Sequence, residues 1–125
     1  MKKQIVSKEA PAAIGAYSQA IKKGDMIFTS GQIPIDPETS EMVEEDIEKQ
    51  TIQVMENLKY VLKEAGSNFD KVIKATIFLS DLNNFSKVND IYKDYFSDIP
   101  PARACVEVSK LPKDSLVEIE VIAFE

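Results

Sequence analysis

The residues of this chain that are best suited to chemistry lie near its C-terminal end. Arg103 is the only arginine, since every other basic residue is a lysine, and it stands in the small, apolar stretch "PPARACVEV". A guanidinium is a planar fork that matches a carboxylate or a phosphate, whereas an ammonium is a point charge. Arg103 is therefore a candidate for binding an anionic ligand. A structural ion pair with one of the 21 acidic residues is the alternative.

Cys105 and Glu118 are the next candidates. If "ARACVEV" is a strand, alternate side chains point to opposite faces, so Arg103 and Cys105 share one face. Glu118 in "LVEIEVIAF" is a candidate for acid-base work. Each residue also fits a plainer role, because a lone cysteine is often a small buried residue and two strand glutamates, Glu118 and Glu120, are often solvated.

The composition limits the chemistry that these residues can perform. The chain has no histidine, which removes the usual base at neutral pH, Ser-His and Cys-His nucleophiles, and most transition-metal sites. Acid-base chemistry must come from a carboxylate, a tyrosine, a lysine, the cysteine or a bound water. The four glycines form no nucleotide-binding motif, and no cluster of side chains has metal-ligand spacing. We therefore expect a protein without cofactor or metal.

Charge and length exclude further classes of protein. The formal net charge of −6 opposes the phosphate-neutralising surface that nucleic-acid binding requires. No apolar run approaches the roughly 20 residues of a membrane span, and the N-terminus lacks the apolar core of a signal peptide. The single cysteine fits a reducing compartment. We expect one domain, residues 1–125, in the cytoplasm, with neither nucleic acid nor membrane as a partner.

The periodicity of apolar residues predicts two helices and about six strands. Apolar positions at three- and four-residue steps predict a helix from Ile47 to Ala65, and a second helix is predicted from Phe85 to Phe96 with Asn83 or Asn84 as its N-cap. Between them, "KVIKATIFLS" predicts a strand with four residues on one face: Ile73, Ala75, Ile77 and Leu79.

The remaining strands are expected in pairs. "YSQAIKKGDMIFTSG" predicts a hairpin that turns at Gly24, "ARACVEVS" and "LVEIEVIAFE" predict a second hairpin, and "DPETSEMVEED" predicts an acidic loop. The fold class is then α+β, one six-stranded mixed sheet with two helices on one face. The last strand is apolar on both faces, and two helices can cover only one of them, so we expect self-association over the other.

Three segments carry a family resemblance: "AIGAYSQAI", "IFTSGQIPIDPETSE" and "PPARACVEVSKLPKDSLVEIEVIAF". In this order they closely resemble the reactive intermediate/imine deaminase family, also called Rid or YjgF, over essentially the whole chain. The resemblance implies a chorismate-mutase-like fold and a homotrimer with active sites between subunits. It also implies hydrolysis of enamine and imine intermediates, 2-aminoacrylate/2-iminopropanoate and 2-iminobutanoate, to 2-keto acids and ammonia.

The same resemblance implies roles for individual residues. It assigns Arg103 to the substrate carboxylate, Glu118 to the hydrolytic water, and Cys105 to the pocket wall without a nucleophilic role. It places three further residues in the pocket: Tyr17, Gly31 and Asn89. Without the resemblance, Tyr17 also fits a core aromatic, Gly31 a turn and Asn89 a solvated helix face. The chain reads Gly-Ala-Tyr where the family commonly reads Gly-Pro-Tyr, so Ala16 is expected to loosen the loop that carries Tyr17.

Three functions fit these observations. The first is the imine deaminase. The second is a non-catalytic binding or regulatory protein that holds a 2-keto acid or similar carboxylate at Arg103, since a fold does not guarantee activity. The third, a chorismate-mutase-like enzyme, is the weakest, because one arginine supplies little positive charge for a dicarboxylate. Glu118 separates the first two, because a binder of carboxylates has no use for a carboxylate beside its ligand.

Overall fold

The chain forms one mixed six-stranded sheet with two α-helices, in a computed structural model that describes residues 1–125. The strands are β1 (Lys3–Ile5), β2 (Ala20–Lys23), β3 (Met26–Thr29), β4 (Ile35–Asp36), β5 (Glu41–Met42), β6 (Val72–Leu79), β7 (Ala102–Glu107) and β8 (Val117–Phe124). The helices are α1 (Ile47–Glu64) and α2 (Phe85–Tyr92). None of the helices is both long enough and apolar enough to cross a membrane.

The strand order of the large sheet is β1-β2-β3-β8-β6-β7. All neighbours are antiparallel except β6 and β7, which are parallel and are joined through α2. The hairpin predicted at Gly24 is confirmed. The hairpin predicted for the last two strands is wrong, because β6 lies between β7 and β8. The crossover through α2 places β7 parallel to β6 on one side, and β8 pairs with β6 on its other side.

The first helix agrees with its predicted pattern. Asp46 caps α1 by accepting a hydrogen bond from the Lys49 backbone N–H at 2.8 Å. The helix ends at Glu64, and Gly66 follows with a φ of 81° in the left-handed region. The Ser67 N–H closes the helix end by donating to the Leu62 carbonyl at 2.8 Å.

The second helix is shorter than predicted, and Asn84, one of the two predicted candidates, stands at its N-cap position. It ends at Tyr92, and a 3₁₀ turn over Lys93–Tyr95 completes the predicted apolar face. Neither of the predicted asparagines caps it through its side chain: the Asp81 carboxylate instead accepts from the backbone N–H of Asn83 and starts a 3₁₀ turn that leads into α2.

Two local predictions need correction. A bulge between Val72 and Lys74 changes the parity of β6, so that Val72 is buried and Ile73 is 44% exposed; the other three predicted core residues of this strand are buried. The acidic loop contains a small hairpin of its own, β4 paired with β5.

The two faces of the large sheet differ in what covers them. The helices pack on one face, where 22 buried residues form a single apolar cluster that includes Val117, Ile119, Val121 and Ala123 of β8. The opposite face is open and carries partly exposed apolar side chains, among them Phe28, Val106 and Phe124. Self-association over this open face stays a prediction.

Candidate active site

The six predicted site residues fall into two groups on opposite faces of the sheet. Directly paired residues on neighbouring strands point to the same side, and successive residues along a strand alternate. Arg103 pairs with buried Ala75 of β6, whereas Glu118 pairs with Phe78 of the same strand. Arg103 therefore lies on the helix face and Glu118 on the open face, so that one side of the sheet carries the cation and the other the carboxylate.

Arg103 lies on the edge strand β7 and leans against α2. Its guanidinium carbon is 5.1 Å from the ring centroid of Phe85 and 5.1 Å from that of Tyr92. Its Nη1 donates a hydrogen bond to Asn89 Oδ1 at 2.7 Å. No acidic side chain comes within 4.0 Å of Arg103 in this chain, so the structural ion pair left open by the sequence is absent from the subunit.

The three partners of Arg103 occupy one face of α2 because they stand at positions i, i+4 and i+7. Tyr92 is almost completely buried, and its hydroxyl has no hydrogen-bond partner. Burial raises the pKa of this hydroxyl to about 12, and the nearby Arg103 charge opposes part of the rise. A cleft of about 450 Å³ lies at this end of α2 and is lined by Arg103, Asn89 and Tyr92 among others.

Asn89 and the aromatic residues of α2 hold Arg103 within the subunit. Asn89 lines the cleft, and its carbonyl oxygen accepts the hydrogen bond of Arg103, while a contact of Asn89 with a substrate stays a prediction. Phe85 and Tyr92 lie on the apolar face of α2, and both rings also face the guanidinium. The sequence contains a pattern that indicates this contact. An amide stands between two aromatic residues on one face of the helix, and the next strand carries the arginine.

Cys105 lies two residues along β7 from Arg103 and on the same face, where it pairs with Ile77 and packs against the core. Burial raises the pKa of the thiol, and the Arg103 charge opposes that rise only partly. The thiol is therefore not activated as a nucleophile at neutral pH. A role for Cys105 in the wall of a substrate pocket stays a prediction.

The second group consists of Tyr17, Gly31 and Glu118. They line a cleft of about 510 Å³ on the side of the sheet away from Arg103. Burial raises the pKa of Glu118, and the like charge of Glu120 raises it further. A carboxylate with a raised pKa is better matched to proton transfer near neutral pH than an ordinary glutamate is.

Position 31 requires glycine because the Glu118 side chain packs against its backbone. The φ of Gly31 is not in the left-handed region, so a turn does not require glycine here. A Cβ added at Gly31 would instead lie 2.2 Å from Glu118 Oε2 and 2.8 Å from its Cδ. The backbone at Gly31 and the carboxyl group of Glu118 therefore share a space that any larger residue would fill.

Tyr17 stands at the rim of the same cleft. It is 49% exposed, which excludes the alternative of a core aromatic. Its loop turns at Gly15, whose φ of 115° suits only glycine, and the Tyr17 N–H donates to the Gly15 carbonyl at 3.0 Å. The Ile14 N–H approaches the Tyr17 hydroxyl at 3.4 Å. The turn therefore closes with Ala16 in place of proline.

Buried amides that the sequence analysis did not single out hold the loops around this cleft. Gln32 pairs with Ile119 by two backbone hydrogen bonds, which places Gly31 beside Glu118. Asn57 of α1 donates to the Ile35 carbonyl at 3.0 Å. Gln19 accepts from the Ser7 N–H at 2.6 Å and donates to the Pro11 carbonyl at 2.7 Å, which fixes the N-terminal segment ahead of Tyr17. For Asn57 the signal was an amide on the apolar stripe of α1, because a buried amide requires partners.

Comparisons with known proteins agree with this architecture. The family model described as "Endoribonuclease L-PSP" matches residues 7–125. A protein of Salmonella typhimurium named 2-iminobutanoate/2-iminopropanoate deaminase is 47% identical over 126 residues, which covers 98% of both chains.

Solved structures superimpose closely on the chain. A Yersinia pestis protein, described as a protein of unknown function of the conserved Rid family, matches with a TM-score of 0.98 at 57% identity and covers 100% of both chains. The E. coli protein TdcF, solved with bound serine, matches with a TM-score of 0.93 at 43% identity and covers 98% of both chains.

Proposed function

Because this chain belongs to the Rid/YjgF family, we propose that it is a cofactor-independent deaminase of reactive enamines and imines. Its substrates are small 2-imino acids, 2-iminopropanoate with its enamine form 2-aminoacrylate, and 2-iminobutanoate, and its products are 2-keto acids and ammonia. The observation that carries the proposal is an arginine without an acidic partner on one side of the sheet and a glutamate with a raised pKa on the other. The deaminase of Salmonella and the serine-bound protein of E. coli support the substrate class.

The reaction needs few groups because an imine carbon is already electrophilic. Arg103 binds the substrate carboxylate and orients the C=N bond. Glu118 accepts a proton from a water molecule as the water oxygen bonds to the carbon of the protonated imine, which gives a neutral carbinolamine. Glu118 then returns this proton to the nitrogen, and the C–N bond breaks so that ammonia leaves. The carbinolamine hydroxyl gives its proton to the Glu118 carboxylate as its oxygen becomes the keto group, and the ammonia finally takes that proton as ammonium. No histidine, metal or nucleophilic thiol is required.

This mechanism requires a second subunit. Arg103 and Glu118 lie on opposite faces of the sheet in one chain, so one small ligand can contact both only where the Arg103 side of one subunit meets the open face of another. We extend the proposal to a homotrimer with a chorismate-mutase-like arrangement, in which a head-to-tail interface repeats three times and closes. The partly exposed apolar side chains of the open face support this packing.

The alternative function is a protein that binds a small carboxylate or 2-keto acid in the same cleft between subunits without turnover. Glu118 argues against it, because an ionised carboxylate in the cleft repels a carboxylate ligand and gives a non-catalytic binder nothing in return. The endoribonuclease description of the family model does not change the proposal, since the net charge of −6 and the lack of other arginines oppose binding to RNA.

The test is the lifetime of an imine in the presence of the protein. An amino-acid oxidase converts alanine, 2-aminobutyrate or a longer amino acid to its imine, the oxidase is then inhibited, and decay of the imine and release of 2-keto acid are followed. A deaminase shortens the lifetime in proportion to its concentration, most strongly for the small substrates. An unchanged lifetime together with saturable binding of 2-keto acids would establish the alternative.

A further inference from the structure

No acidic side chain balances the positive charge of Arg103 where it faces α2. Its contacts are two aromatic rings and one amide oxygen, from Phe85, Tyr92 and Asn89. A guanidinium has five N–H donors, and the chain engages one of them. The chain has 21 acidic residues, and none of them pairs with its only arginine.

Neutral partners hold a cation differently from acidic partners. The face of an aromatic ring attracts a guanidinium through the ring quadrupole, and an amide oxygen fixes one of its N–H groups by a hydrogen bond. A carboxylate would fix the group equally well, but it would also neutralise the charge and compete with an anionic ligand for the same donors. Holding the guanidinium with neutral groups therefore orients it and leaves its charge available.

We propose that Phe85, Asn89 and Tyr92 form a neutral cradle that orients Arg103 toward the carboxylate of the ligand without cancelling its charge. These are positioning residues: they act on the ligand through Arg103, and Asn89 is assigned to Arg103 and not to the substrate. The inference rests on the proposed function only in taking the ligand to be a small carboxylate, and it applies equally to a deaminase and to a non-catalytic binder.

The position of the cradle on the fold supports this role. Arg103 lies on an edge strand, where only one neighbouring strand restrains it, and its long side chain is exposed. An unrestrained arginine loses rotamer entropy when a ligand orders it. The spacing i, i+4 and i+7 places all three partners on one face of α2, so they restrain the Arg103 side chain before the ligand binds. The Tyr92 ring contributes by its contact with the guanidinium.

The experiment compares a 2-keto acid with its neutral amide. Binding of 2-oxobutanoate and of 2-oxobutanamide is measured by calorimetry on the assembled protein and its variants, and the ratio of the two affinities reports how well the guanidinium meets a carboxylate. Phe85→Leu removes one aromatic face but keeps an apolar side chain. We expect the ratio to fall about 3- to 10-fold, the range of a partly exposed cation–π contact.

Asn89→Asp is the sharper variant because it keeps the size and the hydrogen-bond acceptor and adds only a charge. Its carboxylate pairs with Arg103, so we expect thermal stability to be kept and the affinity ratio to fall about 10-fold or more. A loss of thermal stability with an unchanged ratio would show that residue 89 only anchors the edge strand and would contradict the cradle.

Phe69→Leu is the matched control. Phe69 is a buried aromatic that stacks edge-on with Tyr95 and Phe96, and it makes no cation–π contact with Arg103. We expect this variant to lose stability and to keep the affinity ratio of the wild type. If Phe85→Leu and Asn89→Asp assemble like the wild type and both keep its ratio, the cradle proposal is wrong. Failure of the proposed function is a separate result: a wild type that binds 2-oxobutanoate but leaves imine lifetimes unchanged contradicts the deaminase and not the cradle.

Discussion

The close packing of Gly31 against the Glu118 carboxyl group predicts the effect of adding one methyl group at position 31. In Gly31→Ala the new Cβ lies 2.2 Å from Glu118 Oε2, well inside the 3.4 Å at which ordinary contacts begin. The backbone of Gly31 tolerates alanine, because its φ is not in the left-handed region. The Glu118 side chain must therefore give way, and it can, because its carboxyl group is the free end of a flexible chain.

The size of the effect follows from the size of the shift. To reach an ordinary contact distance from the added methyl group, the Glu118 carboxyl group must move by about 1 Å, and a misplacement of that size in a reacting group can cost about 10²-fold in rate. Substrate affinity depends mainly on Arg103 and should change little. We therefore expect kcat for imine hydrolysis to fall about 10²-fold, with nearly unchanged binding of 2-oxobutanoate.

The assay needs a control glycine whose substitution has the opposite effect. Gly24 has a φ of 61°, and a Cβ added there would contact nothing within 4 Å. Gly24→Ala should therefore cost about 1 kcal/mol of folding stability through backbone strain and leave kcat unchanged. Thermal melts and imine lifetimes are measured for both variants, and Gly31→Ala should show the reverse pattern. If Gly31→Ala folds and retains at least half of the wild-type kcat, the position of Glu118 against Gly31 has no part in catalysis.

Three further predictions follow from the same site. Arg103→Lys keeps the charge but loses the fork, so kcat/KM should fall about 10- to 100-fold while the oligomer is kept; a large loss of stability with intact affinity for 2-keto acids would mean that Arg103 is structural. Glu118→Gln should assemble normally, keep carboxylate binding and lose about 10²-fold in turnover, and turnover near that of the wild type would assign water activation elsewhere. Because the pKa of Glu118 is raised in the folded state, the contribution of this residue to stability is lost as pH rises through that pKa. The melting temperature of Glu118→Gln relative to that of the wild type should therefore increase from about pH 4 to pH 7. A constant difference would contradict the claim that burial raises this pKa.

The sequence predicted those parts of the fold that depend on local patterns. The three- and four-residue spacing from Ile47 predicted α1, because an amphipathic stripe of that length has few other ways to bury itself. The Gly24 turn predicted its hairpin, and the alternation in "ARACVEV" correctly placed Arg103 and Cys105 on one face.

Pairings between distant segments could not be predicted in the same way. The parity of β7 and that of β8 were each clear, but only the insertion of β6 between them shows that Arg103 and Glu118 point to opposite sides. The reason for glycine at position 31 is likewise a contact with Glu118. The bulge that exposes Ile73 depends on how β6 pairs with β8, which the alternation of one strand does not contain.

Complementation between two inactive variants is the most direct test of a site that takes Arg103 from one subunit and Glu118 from another. Arg103→Ala and Glu118→Gln are co-expressed with different affinity tags, the mixed oligomers are isolated through both tags, and their imine hydrolysis is compared with that of each variant alone. In a trimer that contains both variants, one of the three interface sites regains both side chains, so the isolated mixed oligomers should recover about a third of wild-type activity. Mixed oligomers no more active than the two parent variants would contradict the shared site, and with it the mechanism proposed for this protein.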